Sequence, residues 1–271
     1  MHNKTVATSL VVQLLATETQ KLPASTGSAL HGWLLQLVKQ KSSLAATNWH
    51  NNQTAKPFSL SPLFGRFAKT SNGYLVVKNQ PYWFKIGLLG EDAFNLVANP
   101  LFVLQANQAE ISLSGLTLKI NDIKLNGHQW AAAFALADLF NHSQVNSQQL
   151  VMQFKTPTTF RRLDFNYVLP EPKLIFGSLL NKWQLINNTP LPLDLEKLNQ
   201  LLKITYLNIK TQFFSLKEQN LIGFTGKVIY EPTKFATKEN VAALQSLAKL
   251  AICAGVGQKT TMGMGVCRLV N

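Results

Sequence analysis

The order of strand-like and helix-like segments constrains this chain more than any single motif. Val6–Ala16 is β-branched and apolar, which predicts a strand. Pro23, Ala24 and Ser25 open a helix-like run, SALHGWLLQLVKQ, whose Leu30, Leu34, Leu37 and Val38 share one face. A shorter helix is expected over Ser43–Trp49. PFSLSPLFGRF and GYLVVKNQPYWFKIGLL read as a hairpin joined near Ser71-Asn72-Gly73. GEDAFNLVANPLF is helix-like, and ISLSGLTLKINDIKL alternates like one strand. After the polar stretch NHSQVNSQQ the order returns. LVMQFKTP is a strand, PKLIFGSLLNKWQLI an amphipathic helix, and ITYLNIKTQFF with LIGFTGKVIYEP a β-pair. ENVAALQSLAKLAICAG is a helix ending at Gly255, and GMGVCRLVN is a last strand. Each half reads β-α-β-β-α-β. The expectation is an α+β fold of two tandem ferredoxin-like domains, residues 1–143 and 144–271, with a Gly-rich loop near the C-terminus.

Charge narrows the partner. The chain has 26 Lys and Arg against 13 Asp and Glu, a net charge of +13. Such an excess favours polyanions through phosphate neutralisation and counterion release. Its distribution is uneven: residues 1–90 hold nine Lys or Arg and one acid, Glu18. Lys155, Arg161 and Arg162 precede the first acid of their segment, Asp164, and Lys249, Lys259 and Arg268 sit in an acid-free C-terminal stretch. Three basic segments could converge into one nucleic-acid-binding patch, with an anionic membrane surface as the competing partner. Against the membrane, the helix over 28–40 has few charges on its polar side, and no stretch is apolar enough to span a bilayer. The N-terminus has no signal-peptide pattern, so a soluble cytoplasmic protein is expected. Cys253 and Cys267 are too few for a disulfide framework, no zinc spacing is present, and no cofactor is implied.

The most distinctive segment is GVGQKTTMGMG, residues 255–265. Gly255, Gly257, Gly263 and Gly265 permit close backbone approach, and Lys259, Thr260 and Thr261 can meet a phosphodiester. A Walker A loop is excluded because no Gly directly precedes Lys259. A purely structural helix-to-strand turn is the other reading; the density of the motif argues against that alone, although some of these glycines serve packing.

Here the chain resembles the repeat-processing endoribonucleases of CRISPR systems, members of the RAMP superfamily. Five blocks carry the resemblance in the same order. They are LAATNWH followed by KPFSLSPL, then FKTPTTFR, LPEPKLIFGSLLNKW, GFTGKVIYE and the Gly-rich loop. The resemblance implies two ferredoxin-like, RRM-like domains and metal-free cleavage of CRISPR repeat RNA, leaving a 2′,3′-cyclic phosphate and a 5′-hydroxyl. It also implies repeat RNA as partner, a CRISPR effector complex as a further one, and a monomer or homodimer.

That chemistry must take a proton from a ribose 2′-OH, give one to the leaving 5′-oxygen and stabilise the phosphorane. His50 stands where related enzymes place an active-site histidine, and Lys56 where some have a catalytic lysine. His31, on the preceding helix, can meet His50 across the helix pair; where some relatives carry a tyrosine, this chain has Leu35. His2, His128 and His142 are read as structural. The RNA-binding set is Lys155, Arg161, Arg162, the Gly-rich loop and Arg268. Trp33, Trp49 and Phe58 could stack a base, though core packing is the better reading for at least two of them. An RNA-binding protein of the same fold that has lost cleavage is the alternative.

Overall fold

The computed structural model describes residues 5–23, 25–51, 55–71, 73–140, 149–216 and 219–270. In the N-terminal half, β1 (Thr5–Ala16) leads into α1 (Thr26–Lys41) and α2 (Ser43–Asn51). Then follow β2 (Phe58–Leu60), β3 (Pro81–Leu89), α3 (Glu91–Ala106), β4 (Glu110–Leu113), β5 (Leu116–Lys124) and β6 (Ala132–Ala135). The main path of the sheet is β2-β3-β1-β5-β4, all antiparallel, with β6 also pairing to β1. In the C-terminal half the elements are β7 (Leu150–Thr158), α4 (Pro172–Trp183), β8 (Leu202–Ser215), β9 (Asn220–Pro232), α5 (Lys238–Ala254) and β10 (Cys267–Leu269). Their sheet order is β8-β9-β7-β10. In both halves the second and third strands lie to one side of the first and the fourth to the other. This is the ferredoxin-like arrangement, twice over.

Three details depart from what the sequence predicts. ISLSGLTLKINDIKL is not one strand but the β4–β5 hairpin. Ser114 and Gly115, at φ 52° and 89°, supply the two positive-φ residues that a tight antiparallel turn needs. The turn near residues 71–73 does not join the two main strands. It closes a side hairpin, Ala68–Thr70 with Gly73–Val76, which adds Gln20–Lys21 to form a small separate sheet, while β2 pairs directly with β3. Helix α4 stops at Trp183, short of QLI. Asn72, the expected boundary at 143/144, His2 and His142 lie outside the described residues.

One element ties the halves together. Helix α5 is apolar on nearly every side: Ala243–Ala254 is buried apart from Lys249, including the polar Gln245 and Ser246. A helix buried all round needs apolar partners on opposite faces. Here these are its own sheet and the N-terminal sheet, where β1 contributes Ala7 and Val11 to the same core as Leu244, Leu247 and Ala251. At Gly87 on β3, a Cβ would lie 1.7 Å from the carbonyl oxygen of Cys253, so only glycine lets the end of α5 approach. That approach delivers the Gly-rich loop, which begins at Gly255, onto the N-terminal half.

Candidate active site

The helix pair is shaped by one serine. Ser42 ends α1 in extended conformation (φ −154°, ψ 106°), its N–H donating to Val38 O. Its hydroxyl then accepts from Ala45 N at 3.1 Å, capping α2. His50 consequently stands exposed in the last turn of α2, while His31 is buried on α1. Phe58 bridges the two helices, with ring centroids 5.7 Å from His31 and 5.0 Å from Trp49, stacked in both cases. Trp33 packs edge-on against Phe84. All three aromatics therefore hold the helices to the sheet. His128 is also structural: its Nδ1 accepts from Trp130 N at 3.2 Å, and its ring sits against Trp83.

The Gly-rich loop closes over α1 and β2. Gly255, Gly257, Gly263 and Gly265 have φ of 66°, 81°, 102° and 69°, and Lys259 is left-handed at φ 55°. Several loop N–H groups are already committed inside the protein. Gln258 N donates to Thr159 O at 3.0 Å, Gly265 N to Pro157 O at 3.0 Å and Gly257 N to Ser178 Oγ at 2.9 Å. The TPT segment thus serves as the loop's backing. Gly255, Gly263 and Gly265 are buried, Gly257 and Thr261 are half-buried, and Lys259 is exposed. Thr260 is buried, and its hydroxyl accepts from Lys182 Nζ at 3.0 Å. On the N-terminal half, a Cβ at Gly27 would fall 1.9 Å from Met262 O, so the first turn of α1 admits the loop only as glycine.

This docking brings residues far apart in sequence into one cluster. His31 Nδ1 lies 3.1 Å from the carbonyl oxygen of Thr261. A carbonyl can only accept, so Nδ1 carries the proton and Nε2 the lone pair. Burial pulls the His31 pKa below its ordinary value. The bond to Thr261 opposes that, and the nearby charges of Lys56 and His50 add to it. Lys56 Nζ donates to the His50 carbonyl oxygen at 3.0 Å. Its own pKa is lowered by burial and then by the charge of Lys259. The charges of Lys56 and His50 thus act on His31 and that of Lys259 acts on Lys56, and among the described residues no carboxylate contributes to either shift. Among the described residues, no three His, Cys, Asp or Glu side chains converge as a metal-binding set.

The other basic residues of the predicted binding set do not share one place. Arg161 lines an open groove of about 510 Å³ with Ala55, Ser178, Asn181, Gly257 and Gln258, beside the cluster. Its Nε donates to Leu163 O at 2.9 Å; Arg162 lies 4.5 Å over the Tyr167 ring and 3.7 Å from Glu171. Lys155 is exposed on β7 in a separate groove of about 530 Å³. The same groove is lined by Lys210 and Lys227, which look in the sequence like ordinary strand residues. Arg268 is held by Gln129 and Gln153 and stacks 5.1 Å from the Trp130 ring, joining the two halves.

Two buried lysines do not stand out in the sequence. Lys182 donates to Ala254 O, Gly255 O and Thr260 Oγ1, and Lys85 to Ser59 Oγ at 3.2 Å. Burial lowers Lys182 to about 7, with the charge of Lys85 adding to it, and lowers Lys85 to about 8. Lys182 does carry one visible signal: it falls in register with Ile175, Phe176 and Leu179 on the apolar stripe of its helix.

Comparison with known proteins bears on the whole arrangement. Residues 6–141 match the family description "CRISPR Cas6 N-terminal domain", and residues 152–267 match "CRISPR-associated endoribonuclease Cas6". A CRISPR-associated endoribonuclease Cas6 of Streptococcus thermophilus is 30% identical over 164 residues, 59% of this chain and 65% of that protein. The matched region thus spans just under two thirds of that relative's length. A solved Cas6 product complex superposes with a TM-score of 0.80 at 27% identity, covering 98% of this chain and 100% of its own. A Cas6 substrate mimic complex gives 0.75 at 25% identity, covering 98% and 100%. With both halves matched in order, this chain belongs to the Cas6 family of CRISPR-associated endoribonucleases.

Proposed function

We propose that the chain cleaves CRISPR repeat RNA within precursor transcripts, without a metal ion, by attack of a ribose 2′-OH on the adjacent phosphate. The observation that carries this reading is the convergence of His31, His50, Lys56 and Lys259 at the seam between Gly-rich loop and helix pair. Neutral His31, with its lone pair on Nε2, accepts the 2′-OH proton. The 2′-oxygen attacks phosphorus and the bond to the 5′-oxygen breaks. His50 protonates the leaving oxygen, and Lys56 and Lys259 stabilise the charge of the phosphorane. The products are a 2′,3′-cyclic phosphate and a 5′-hydroxyl. Solvent returns each imidazole to its starting state.

Three further facts support the reading. The charges acting on His31 and Lys56 are cationic, which suits a phosphate and repels a divalent metal. Arg161 is exposed in the groove beside the cluster, with Arg162 exposed next to it in the chain, where they can hold the RNA backbone in line for attack. Solved relatives of this fold are described as product and substrate mimic complexes. The test is incubation of the purified protein with labelled repeat RNA in EDTA. Discrete cleavage is expected. Tight binding without cleavage would instead mark a protein that only holds the RNA, and activity restored only by added Mg²⁺ would overturn metal independence.

A further inference from the structure

Lys182 stands near the end of α4 with its ammonium buried beneath the Gly-rich loop. Its three N–H bonds meet three acceptors: Ala254 O at 2.6 Å, Gly255 O at 3.1 Å and Thr260 Oγ1 at 3.0 Å. The match between donors and acceptors is complete only for the charged form, because a neutral amine has two N–H bonds. Among the described residues neither Lys182 nor its buried neighbour Lys85 forms an ion pair with a carboxylate. Burying an unpaired ammonium is costly, and an apolar side chain of similar length would fill the space without that cost. What the lysine does here is fasten two places on the loop to each other. It holds the end of α5 at Ala254 and Gly255, and it holds the short turn at Thr260. The residue after Thr260 is Thr261, whose carbonyl orients His31.

We propose that Lys182 is a positioning residue for this site: its ammonium fixes the Gly-rich loop so that the Thr261 carbonyl meets His31 Nδ1. Lys182 touches no reacting atom. It acts through Thr260 and Thr261, from the C-terminal half onto a histidine of the N-terminal half. Its effect on cleavage rests on the nuclease reading above; its effect on His31 does not.

The test uses Lys182→Met and Thr260→Val in the full chain. Thr260→Val removes the link to the loop while leaving Lys182 its two carbonyls, so it remains informative if Lys182→Met fails to fold. Two readouts are taken at a temperature where thermal melts show the variants folded. The first is the imidazole NMR spectrum, with the His31 signal assigned by its loss in His31→Asn. Wild type is expected to show His31 protonated on Nδ1, and the folded variants to lose that fixed tautomer. The second is the single-turnover rate at saturating protein, expected to fall at least about tenfold, while affinity for a 2′-deoxy repeat RNA changes less than about threefold. The double variant should be no slower than the slower single variant, since both changes break one connection. An unchanged His31 signal with an unchanged rate overturns the proposal, as does a rate loss matched by an equal loss of affinity. If wild type itself does not cleave, the nuclease reading fails, and the His31 signal still decides the role of Lys182.

Discussion

His31 Nδ1 and the carbonyl oxygen of Thr261 lie 3.1 Å apart, although 230 positions separate them in the chain. The pair fixes which nitrogen of a buried imidazole can take a proton. It exists only because α5 is sandwiched between the two sheets and releases the loop at the N-terminus of α1. The proposed chemistry starts from this pair.

Both histidines are expected to matter, in different ways. His31→Ala and His50→Ala should each lower the single-turnover rate by roughly two to four orders of magnitude, the range for losing general acid–base help. Affinity should barely move, because one side chain contributes little against many phosphate contacts. Rates measured with protein in excess check this. A variant that cleaves like wild type removes that histidine from the mechanism.

The binding surface is expected to separate by salt. Arg161→Ala with Arg162→Ala, and Lys259→Ala, should weaken repeat-RNA binding and flatten its dependence on salt by about one unit of slope for each phosphate no longer neutralised. Titrations at several salt concentrations give the slope. If affinity and slope both match wild type, the RNA follows another path, with the groove of Lys155, Lys210 and Lys227 next to be tested.

Stability should rise with pH across neutrality, because of the two buried lysines. Lys182 is lowered to about 7 and Lys85 to about 8. In the unfolded chain both titrate near the ordinary lysine value of about 10.4. From about pH 7 upward the unfolded state therefore binds more protons than the folded one, so unfolding becomes harder as pH rises. The gain ends near pH 9, where thiols of the unfolded chain ionise. Folded Cys253, pushed up to about 12, and folded Cys267, pushed well above its ordinary value, both stay protonated, which offsets the two lysines and ends the rise. Thermal melts between pH 6.5 and 9 should show a rising midpoint, with a shallower rise in Lys182→Met. An equal rise in that variant would contradict the burial of a titrating ammonium there.

The parts of this molecule that obey a period are legible in its sequence. Leu30, Leu34, Leu37 and Val38 announce α1, the apolar run to Ala254 announces α5, and the repeated β-α-β-β-α-β order announces the architecture. His50, Lys56 and the Gly-rich loop stand out through a resemblance over five blocks and His31 through its place on the helix preceding His50, and the four lie at one seam. What periodicity does not convey is contact between distant segments. That Gly27 must be glycine follows from Met262 O, and that Thr260 faces inward follows from Lys182; neither partner is near in sequence. The β4–β5 turn is concealed because Ser114 and Gly115 lie between two stretches that each alternate, Ile111–Leu113 and Leu116–Ile120. Lys85 is concealed because a lysine in a strand is ordinarily solvated, whereas here the second half of the chain covers it.

In the proposed reaction the nucleophile is a ribose 2′-OH, activated at the seam between the Gly-rich loop and the helix pair. The most direct measurement compares two labelled repeat RNAs in EDTA, one natural and one with a single 2′-deoxy nucleotide immediately 5′ of the cleaved phosphate. The natural RNA should be cut to fragments ending in a 2′,3′-cyclic phosphate and beginning with a 5′-hydroxyl. The deoxy RNA should bind with unchanged affinity and remain intact. Cleavage of the deoxy RNA at the same phosphate would contradict the account, because the nucleophile would then have to be water.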